Sequence, residues 1–188
     1  MDFSWTEEQQ RLRDEIVEFA RTELAGDDLV ERDHRGEFSR EGWARCAERG
    51  LLGLSVPEEY GGHLTDLLTA VRIMEGLGYG CPDNGLALAL NAQIWTVQLP
   101  IVRFGSHDQK ERFLPGMCAG RLIGAHALTE PGAGSDALGS MRTTAKKDGD
   151  DYILNGTKIY ITNGPIADLV LVYAKTSPEK GAKGISAF

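Results

Sequence analysis

Cysteine is scarce in this sequence. The 188 residues include only Cys46, Cys81 and Cys118, and no two of them form a Cys-x-x-Cys pair. An odd number of cysteines at such spacings argues against a disulfide framework and against a zinc site. We therefore expect no metal site, thiols that pack in the interior, and a protein that works in the reducing cytoplasm.

The sequence also lacks an excess of basic residues, because 28 acidic side chains outnumber 20 basic ones and give a net charge of −8. Binding to nucleic acid depends on a basic surface, so nucleic acid is not expected as a partner. Long apolar runs of about 18 residues are missing, and the first ten residues are polar and acidic. Neither a transmembrane helix nor a signal peptide is expected.

The first two-thirds of the sequence has the pattern of a helical domain. Thr6 and Gln9 form the Thr-x-x-Gln pattern of a capping box, and apolar residues then recur at helical spacing between charged ones. We predict helices after Thr6 and from Ser39, helices over about 65–77 and 85–104 with a kink or break at Pro100, and a short helix after the capping pair Ser106 and Gln109.

From residue 121 onward the sequence changes to short, alternating runs that are typical of strands. The dipeptides Asp148-Gly149 and Asn155-Gly156 are typical of hairpin turns. We therefore predict an α+β protein, with an all-helical domain over 1–120 and an antiparallel, barrel-like β domain over 121–188. Such a β domain would leave exposed strand edges, so we expect the sequence to be incomplete as a functional unit.

One loop of the β region, TEPGAGSD from Thr129, is rich in small residues. Gly132 and Gly134 carry no Cβ, so a ligand can approach the main chain, while Thr129 and Ser135 offer hydroxyl groups. The loop matches neither GxGxxG nor GxxxxGK[ST], which argues against a Rossmann site and a P-loop. A site for a flat ring or a phosphate and a plain tight turn both fit this composition.

A second segment, KIYITNG from Lys158, is predicted to be a strand. Strand side chains alternate, so Tyr160 and Thr162 are expected on the same face. An aromatic ring beside a hydroxyl group is suited to stack on and hydrogen-bond to a flat heteroaromatic ring. An ordinary surface strand fits the same residues, because Tyr and Thr are both common there.

Three segments together resemble the acyl-CoA dehydrogenase family of flavoproteins: LGLSVPEEYGG from Leu52, ALTEPGAGSD from Ala127 and LNGTKIYITNG from Leu154. They occur in the family's order and spacing, and the resemblance covers essentially the whole sequence. It implies an amino-terminal helical domain, a central β domain and a carboxy-terminal helical bundle, with FAD bound between the last two. The sequence is expected to be truncated before that bundle.

The resemblance also implies which residues contact FAD. Leu128 and Thr129 would meet the pyrimidine side of the flavin ring, Tyr160 would stack beside the ring, and Thr162 would form a hydrogen bond near N5. Ser135 would lie near the pyrophosphate and would also bind the CoA arm of the substrate. The full set implied for the cofactor is His126, Leu128, Thr129, Gly134, Ser135, Tyr160, Ile161 and Thr162.

Two of these residues depart from the family's commonest pattern. Tyr160 stands where tryptophan is frequent, and its ring can still stack. His126 stands where tyrosine or phenylalanine is frequent. It either tunes the electrostatics of the flavin or only packs against its neighbours.

The reaction that the resemblance implies is α,β-dehydrogenation of an acyl thioester, with hydride transfer to flavin N5. The family's catalytic glutamate belongs to the carboxy-terminal bundle, so no catalytic residue is assigned here. The chain by itself is predicted to bind FAD weakly and to be inactive. The expected partners are an acyl-CoA or a carrier-protein-bound acyl thioester, an electron-transfer flavoprotein, and either further copies of the chain or a second chain that completes it.

Two other functions stay open at this point. The first keeps the fold and changes the chemistry to that of a flavin oxidase or monooxygenase of the same superfamily. The second is a fragment that binds or scaffolds without turnover, which the missing carboxylate favours. Neither the acyl group nor the choice between CoA and carrier protein follows from the sequence.

Overall fold

A computed structural model of the protein describes residues 4–26 and 28–188. The chain forms two compact units, one that ends at Leu122 and one over Ile123–Phe188. The first unit is helical and the second contains a sheet, which confirms the predicted order of structural classes. The helices of the first unit are α1 (Glu7–Glu23), α2 (Leu29–Arg35), α3 (Arg40–Glu48), α4 (Leu67–Gly80), α5 (Asn84–Gln93), α6 (Leu99–Phe104) and α7 (His107–Cys118).

Capping residues that the sequence identifies begin three of these helices. The Thr6 side chain accepts a hydrogen bond from the Gln9 amide, and the Gln9 side chain accepts one from the Thr6 amide. Ser106 and Gln109 form the same reciprocal pair before α7. Ser39 accepts from the Gly42 amide before α3. These bonds satisfy N-cap and first-turn amides that have no partner within their helix.

Helix α2 is not predicted by the sequence pattern. None of its residues is buried, and no side chain caps its first turn. Its Arg32 forms ion pairs with Asp28 and Asp83. A short helix held by polar contacts has no apolar period, so periodicity cannot reveal it.

A π-helical turn over Ile94–Gln98 joins α5 to α6, so one helix continues from Asn84 to Phe104. The interruption expected at Pro100 lies just before it: Pro100 is in the first turn of α6, and the Leu99 amide donates to the Ile94 carbonyl five residues back. By length and composition alone this 21-residue helix is apolar enough to cross a membrane. Half of its most apolar window is buried inside the protein, as is typical of a core helix.

The core of the first unit contains polar as well as apolar side chains. Leu52, Leu77 and Leu90 are fully buried. Gln93 donates to the Met117 carbonyl at 3.3 Å, and Gln98 donates to the Leu52 carbonyl at 2.9 Å. These bonds satisfy the buried NH₂ groups of both side chains, whereas Gln98 Oε1 is buried without a partner in the described residues. The three cysteines are buried and unpaired, which confirms the expected interior position of the thiols.

The second unit is built on a mixed sheet with the strand order β1-β4-β2-β3, and β5 pairs with β4. A short helix, α8 (Ala137–Ser140), precedes β2. The strands are β1 (Gly124–Ala127), β2 (Thr144–Asp148), β3 (Asp151–Asn155), β4 (Leu169–Lys175) and β5 (Ile185–Ala187).

The sheet differs from the expected antiparallel arrangement because it includes parallel pairs. β1 and β4 run parallel from the pair Gly124–Leu169 to the pair Ala127–Val172. β2 also meets β4 in parallel, at Thr144 opposite Lys175. Parallel pairing requires a long connection rather than a hairpin. Turn dipeptides in the sequence report only local hairpins, so they do not reveal this pairing.

One of the two predicted hairpins forms and the other does not. β2 and β3 are antiparallel and are joined by Gly149 and Asp150, with Asp148 opposite Asp151. At the second turn dipeptide, β3 ends at Asn155, and residues 156–159 have no regular structure. An added Cβ at Gly156 would lie 2.3 Å from Thr143 Oγ1, so the chain passes close to Thr143 here instead of turning back as a strand.

The predicted strand from Lys158 to Thr162 is therefore wrong. Tyr160 has a φ of +55° and Asn163 a φ of +65°, both in the left-handed region that no strand adopts. In this segment the Ile159 amide donates to Thr129 in the loop after β1, and the Ile161 carbonyl accepts from Gly164 in a local turn. Tyr160 and Thr162 consequently do not share a strand face.

Candidate functional site

The small-residue loop after β1 contains a tight turn with open space around it. The amides of Glu130 and Ala133 each donate to the other's carbonyl, at 3.0 and 3.1 Å. A Cβ added at Gly132 or Gly134 would meet no heavy atom within 4 Å. The turn is therefore real, and the main chain beside it is accessible. The predicted turn is thus confirmed, and ligand binding at its open backbone stays a prediction.

This loop and the segment after β3 are joined by hydrogen bonds. The Ile159 amide donates to the Thr129 carbonyl at 3.0 Å. The Lys158 ammonium group donates to the Leu128 carbonyl at 3.0 Å, although the two residues are 30 positions apart in the sequence. The two segments that the sequence singles out thus lie side by side. A single surface of the second unit contains both.

Glu130 is the buried centre of this junction, with 5% of its surface exposed. It accepts hydrogen bonds from the Arg142 amide at 2.6 Å, from the amide and hydroxyl of Thr143, and from Lys158 Nζ at 2.9 Å. Burial alone would raise the pKa of the carboxyl group, but these bonds lower its pKa to about 2. A carboxylate held this firmly is structural and is unsuited to accept a proton at neutral pH.

The hydroxyl groups of the site are free to bind a ligand. Within residues 4–26 and 28–188, the side chains of Thr129, Ser135 and Thr162 have no hydrogen-bond partner. Ser135 is exposed, whereas Thr129 and Thr162 are half-buried. The Tyr160 ring is 89% exposed. An aromatic ring this exposed next to unpaired donors is a surface on which a flat, polar ligand can stack.

His126 lies on β1, and its ring packs against Tyr173 of β4. The ring centroids are 5.1 Å apart and the planes meet at 62°, an edge-on contact. Burial lowers the pKa of the imidazole, and the positive charge of Lys158 lowers it further. His126 thus packs against Tyr173, and both the lowered pKa and this contact favour a neutral ring.

Two family profiles cover nearly the whole chain. The profile described as acyl-CoA dehydrogenase, N-terminal domain, matches residues 6–121, and the one described as acyl-CoA dehydrogenase, middle domain, matches residues 125–188. The chain belongs to the acyl-CoA dehydrogenase family. The resemblance seen in the sequence is thereby confirmed.

Similar proteins within the acyl-CoA dehydrogenase family include carrier-protein enzymes. The L-prolyl-[peptidyl-carrier protein] dehydrogenase of Pseudomonas fluorescens is 39% identical over 100% of this chain and 49% of its own length. The crystal structure of the prolyl acyl carrier protein oxidase AnaB is 45% identical, with a TM-score of 0.92 over 98% of this chain and 48% of its own.

PigA, solved with FAD and proline, is 38% identical, with a TM-score of 0.91 over 100% of this chain and 49% of its own. The chain thus spans about half the length of the relatives it matches.

The structure brings together most of the residues that the family resemblance implies. His126, Leu128, Thr129, Gly134 and Ser135 lie on β1 or in the loop that follows it, and that loop is bonded to the segment leading to Tyr160, Ile161 and Thr162. Sequence reasoning missed Lys158 as part of this junction. The sequence did contain a clue, because Glu130 lies in the family segment ALTEPGAGSD and Lys158 lies in the family segment LNGTKIYITNG. It was missed because a lysine in an expected strand is usually a surface residue.

Proposed function

We propose that this chain supplies the flavin-facing part of an FAD-dependent acyl-thioester dehydrogenase. One observation carries the proposal: Lys158 and Ile159 bond to Leu128 and Thr129, so that the glycine-rich turn and the segment of Tyr160 form one surface. Family membership supports it, as does the FAD complex of the similar protein PigA. A protein that acts only as a structural scaffold does not require accessible backbone and unpaired hydrogen-bond donors on the same surface.

The residues at this surface fit a flavin. Gly132 and Gly134 leave room for a ring or a phosphate to approach the main chain, since an added Cβ would stand in open space. Thr129 and Ser135 contribute unpaired hydroxyl donors for carbonyl and phosphate oxygens. The exposed Tyr160 ring offers an apolar face.

In the proposed reaction, each residue of this set binds or orients. FAD, when bound, supplies the acceptor for the hydride that leaves the β-carbon of the substrate. Leu128, Thr129, Ile161 and Thr162 hold the ring, Tyr160 stacks beside it, and Gly134 and Ser135 hold the pyrophosphate. Ser135 also contacts the phosphate-bearing arm of the thioester. His126 remains in the proposed set through its packing on Tyr173, which supports β1.

The proposal places the proton-abstracting carboxylate outside these 188 residues. Glu130, the acidic residue at the junction, is fully used by hydrogen bonds, and its pKa is lowered to about 2. The relatives are about twice as long as this chain. The isolated chain should then bind FAD weakly and should not turn over, and further copies or a second chain would complete it.

FAD titration and substrate bleaching test the proposal directly. Quenching of FAD fluorescence by the purified chain measures binding, and the absorbance of the bound flavin is then followed after addition of acyl-CoA or an acyl carrier protein. We expect saturable FAD binding without bleaching for the chain alone, and bleaching when the carboxy-terminal half of a relative, itself unable to bleach, is added as a separate chain. A chain that binds no FAD at millimolar concentration contradicts the proposal.

An oxidase is the second candidate, and one comparison favours it. The similar protein AnaB is named as a prolyl acyl carrier protein oxidase. Reoxidation of the reduced, completed enzyme separates the two chemistries. Fast reoxidation by oxygen supports the oxidase, whereas reoxidation that requires an electron-transfer flavoprotein supports the dehydrogenase.

A further inference from the structure

Lys158 occupies an unusual position behind the peptide group that joins Leu128 to Thr129. Its side chain is only 11% exposed, and its ammonium group donates both to the Leu128 carbonyl at 3.0 Å and to Glu130 Oε1 at 2.9 Å. The charge is thus held against a main-chain carbonyl in a partly buried place, where electrostatic interactions are weakly screened. Burial lowers the pKa of His126, and the charge of Lys158 lowers it further. The electrostatic influence of Lys158 thus extends to neighbouring side chains.

The ammonium group polarises the Leu128–Thr129 peptide from its carbonyl end towards its N–H end. Every peptide bond in the described ranges is trans, so the Thr129 N–H points away from the Leu128 carbonyl and therefore away from Lys158. A cation at the carbonyl oxygen draws electron density through the conjugated peptide and makes the N–H a stronger donor. The Thr129 amide has no hydrogen-bond partner among the residues described.

The carbonyl groups of Leu128 and Thr129 already accept hydrogen bonds, whereas the donor groups of Thr129 make none within the described residues. Lys158 takes the Leu128 carbonyl, and the Ile159 amide takes the Thr129 carbonyl. The amide and the hydroxyl of Thr129 remain unpaired in the described part of the chain. The backbone at Thr129 therefore presents donors only. Such a surface favours a ligand group that carries or gains negative charge.

We propose that Lys158 is a positioning residue that strengthens the Thr129 amide as a donor and thereby favours the reduced, more negative form of the bound flavin. The inference rests on the proposed function, because it takes FAD as the ligand. Glu130 has the opposite influence, since its negative charge lies beside the ammonium group and offsets its field. The two residues stabilise the same junction but act on the flavin with opposite sign.

The opposite signs provide the test. The dissociation constants of oxidised and dithionite-reduced FAD are measured anaerobically, at mildly alkaline pH where the reduced flavin is anionic, for the unaltered chain, Lys158→Met and Glu130→Gln. Lys158→Met should raise the ratio of the reduced to the oxidised constant about tenfold, which lowers the midpoint potential of the bound flavin by about 30 mV. Glu130→Gln should lower the same ratio. Both variants should melt at lower temperature than the unaltered chain.

Two further variants keep the result interpretable. Lys158→Arg retains the charge and should leave the ratio within about twofold. Lys146→Met removes an exposed lysine of β2 and should leave it unchanged. If Lys158→Met does not fold, the sign for Glu130→Gln decides, because a purely structural role predicts no change in the ratio.

Equal weakening of both FAD forms in Lys158→Met, or a shift of the same sign in Glu130→Gln, would overturn this inference and leave the proposed function intact. Absence of FAD binding by the unaltered chain would overturn both.

Discussion

The amide of Ile159 donates to the carbonyl of Thr129 at 3.0 Å and joins two segments that lie far apart in the sequence. This bond runs alongside the contact between Lys158 and the Leu128 carbonyl. Together they fix the glycine-rich turn against the chain that leads to Tyr160. The proposed flavin surface therefore depends on a main-chain junction rather than on a strand.

Gly134→Ala tests whether accessible backbone is used for binding. The new methyl group would meet no protein atom within 4 Å, so the melting temperature should not fall. It would occupy space that a bound cofactor needs, so the dissociation constant for FAD should rise about tenfold, or roughly 1.4 kcal/mol. Gly78→Ala on α4 is the matched control, since its Cβ also meets open space. Unchanged FAD binding by Gly134→Ala would argue against close approach at this position.

The ionised state of Glu130 should make the second unit sensitive to acid. The pKa of its carboxyl group is about 2 in the folded protein and about 4.3 when unfolded. A lowered folded pKa gives stability that is present above the unfolded value and is lost as the pH falls towards 2. The contribution is on the order of 3 kcal/mol.

Urea unfolding between pH 6 and pH 2.5, followed for the unaltered chain and for Glu130→Gln, measures this contribution. The variant should be less stable at pH 6 and should lose less stability on acidification. Parallel curves for the two proteins would show that the hydrogen bonds of Glu130 are not coupled to its charge.

His126 should behave as a neutral, packed side chain. Its pKa is lowered by burial and by Lys158, so the folded protein binds fewer protons than the unfolded chain as the pH falls below about 6.5. The contribution of the neutral His126 ring to stability is therefore fully present above that pH and is lost below it. His126→Phe keeps the edge-on contact with Tyr173 and should remove this decline. Thermal unfolding at pH 7.5 and pH 5 measures the difference, and an equal loss in both proteins would contradict the assignment.

Gly62→Ala should destabilise the first unit, whereas the residues of the proposed flavin surface belong to the second unit. An added Cβ at Gly62 would lie 2.0 Å from the Val56 carbonyl oxygen, a distance that real contacts do not permit. Relief of this clash requires a backbone shift, with a cost of about 2 kcal/mol or more. The melting temperature should fall well below that of Gly78→Ala. A melting temperature equal to that control would mean that the loop after Val56 adjusts freely.

Local signals in the sequence predicted the helical part well. Thr6, Ser39 and Ser106 form helix caps with residues three positions away, so a stretch of four residues is enough to predict each cap. The hairpin at Gly149 is local in the same sense. The parallel pair of β1 and β4 is not local, and no pattern within either strand identifies the partner.

The sequence singled out the two segments that the structure joins, but not the geometry of their junction. Small residues and hydroxyl groups marked the turn, because their chemistry is independent of context. The alternation of Tyr160 and Thr162 predicted a strand, yet Tyr160 adopts left-handed backbone. The bonds of Lys158 and Ile159 to a distant loop overrode local propensity. Competition of this kind between local and tertiary contacts cannot be read from the segment alone.

The wide turn over Ile94–Gln98 changes which faces the two halves of the long helix present. A turn closed by a bond between Leu99 and Ile94 contains one residue more than an ordinary turn. Side chains beyond it are rotated by about 100° from the positions that a regular helical wheel assigns. Deletion of a single residue within this stretch would therefore convert it into an uninterrupted α-helix, in which the side chains on either side of the turn still face the same directions.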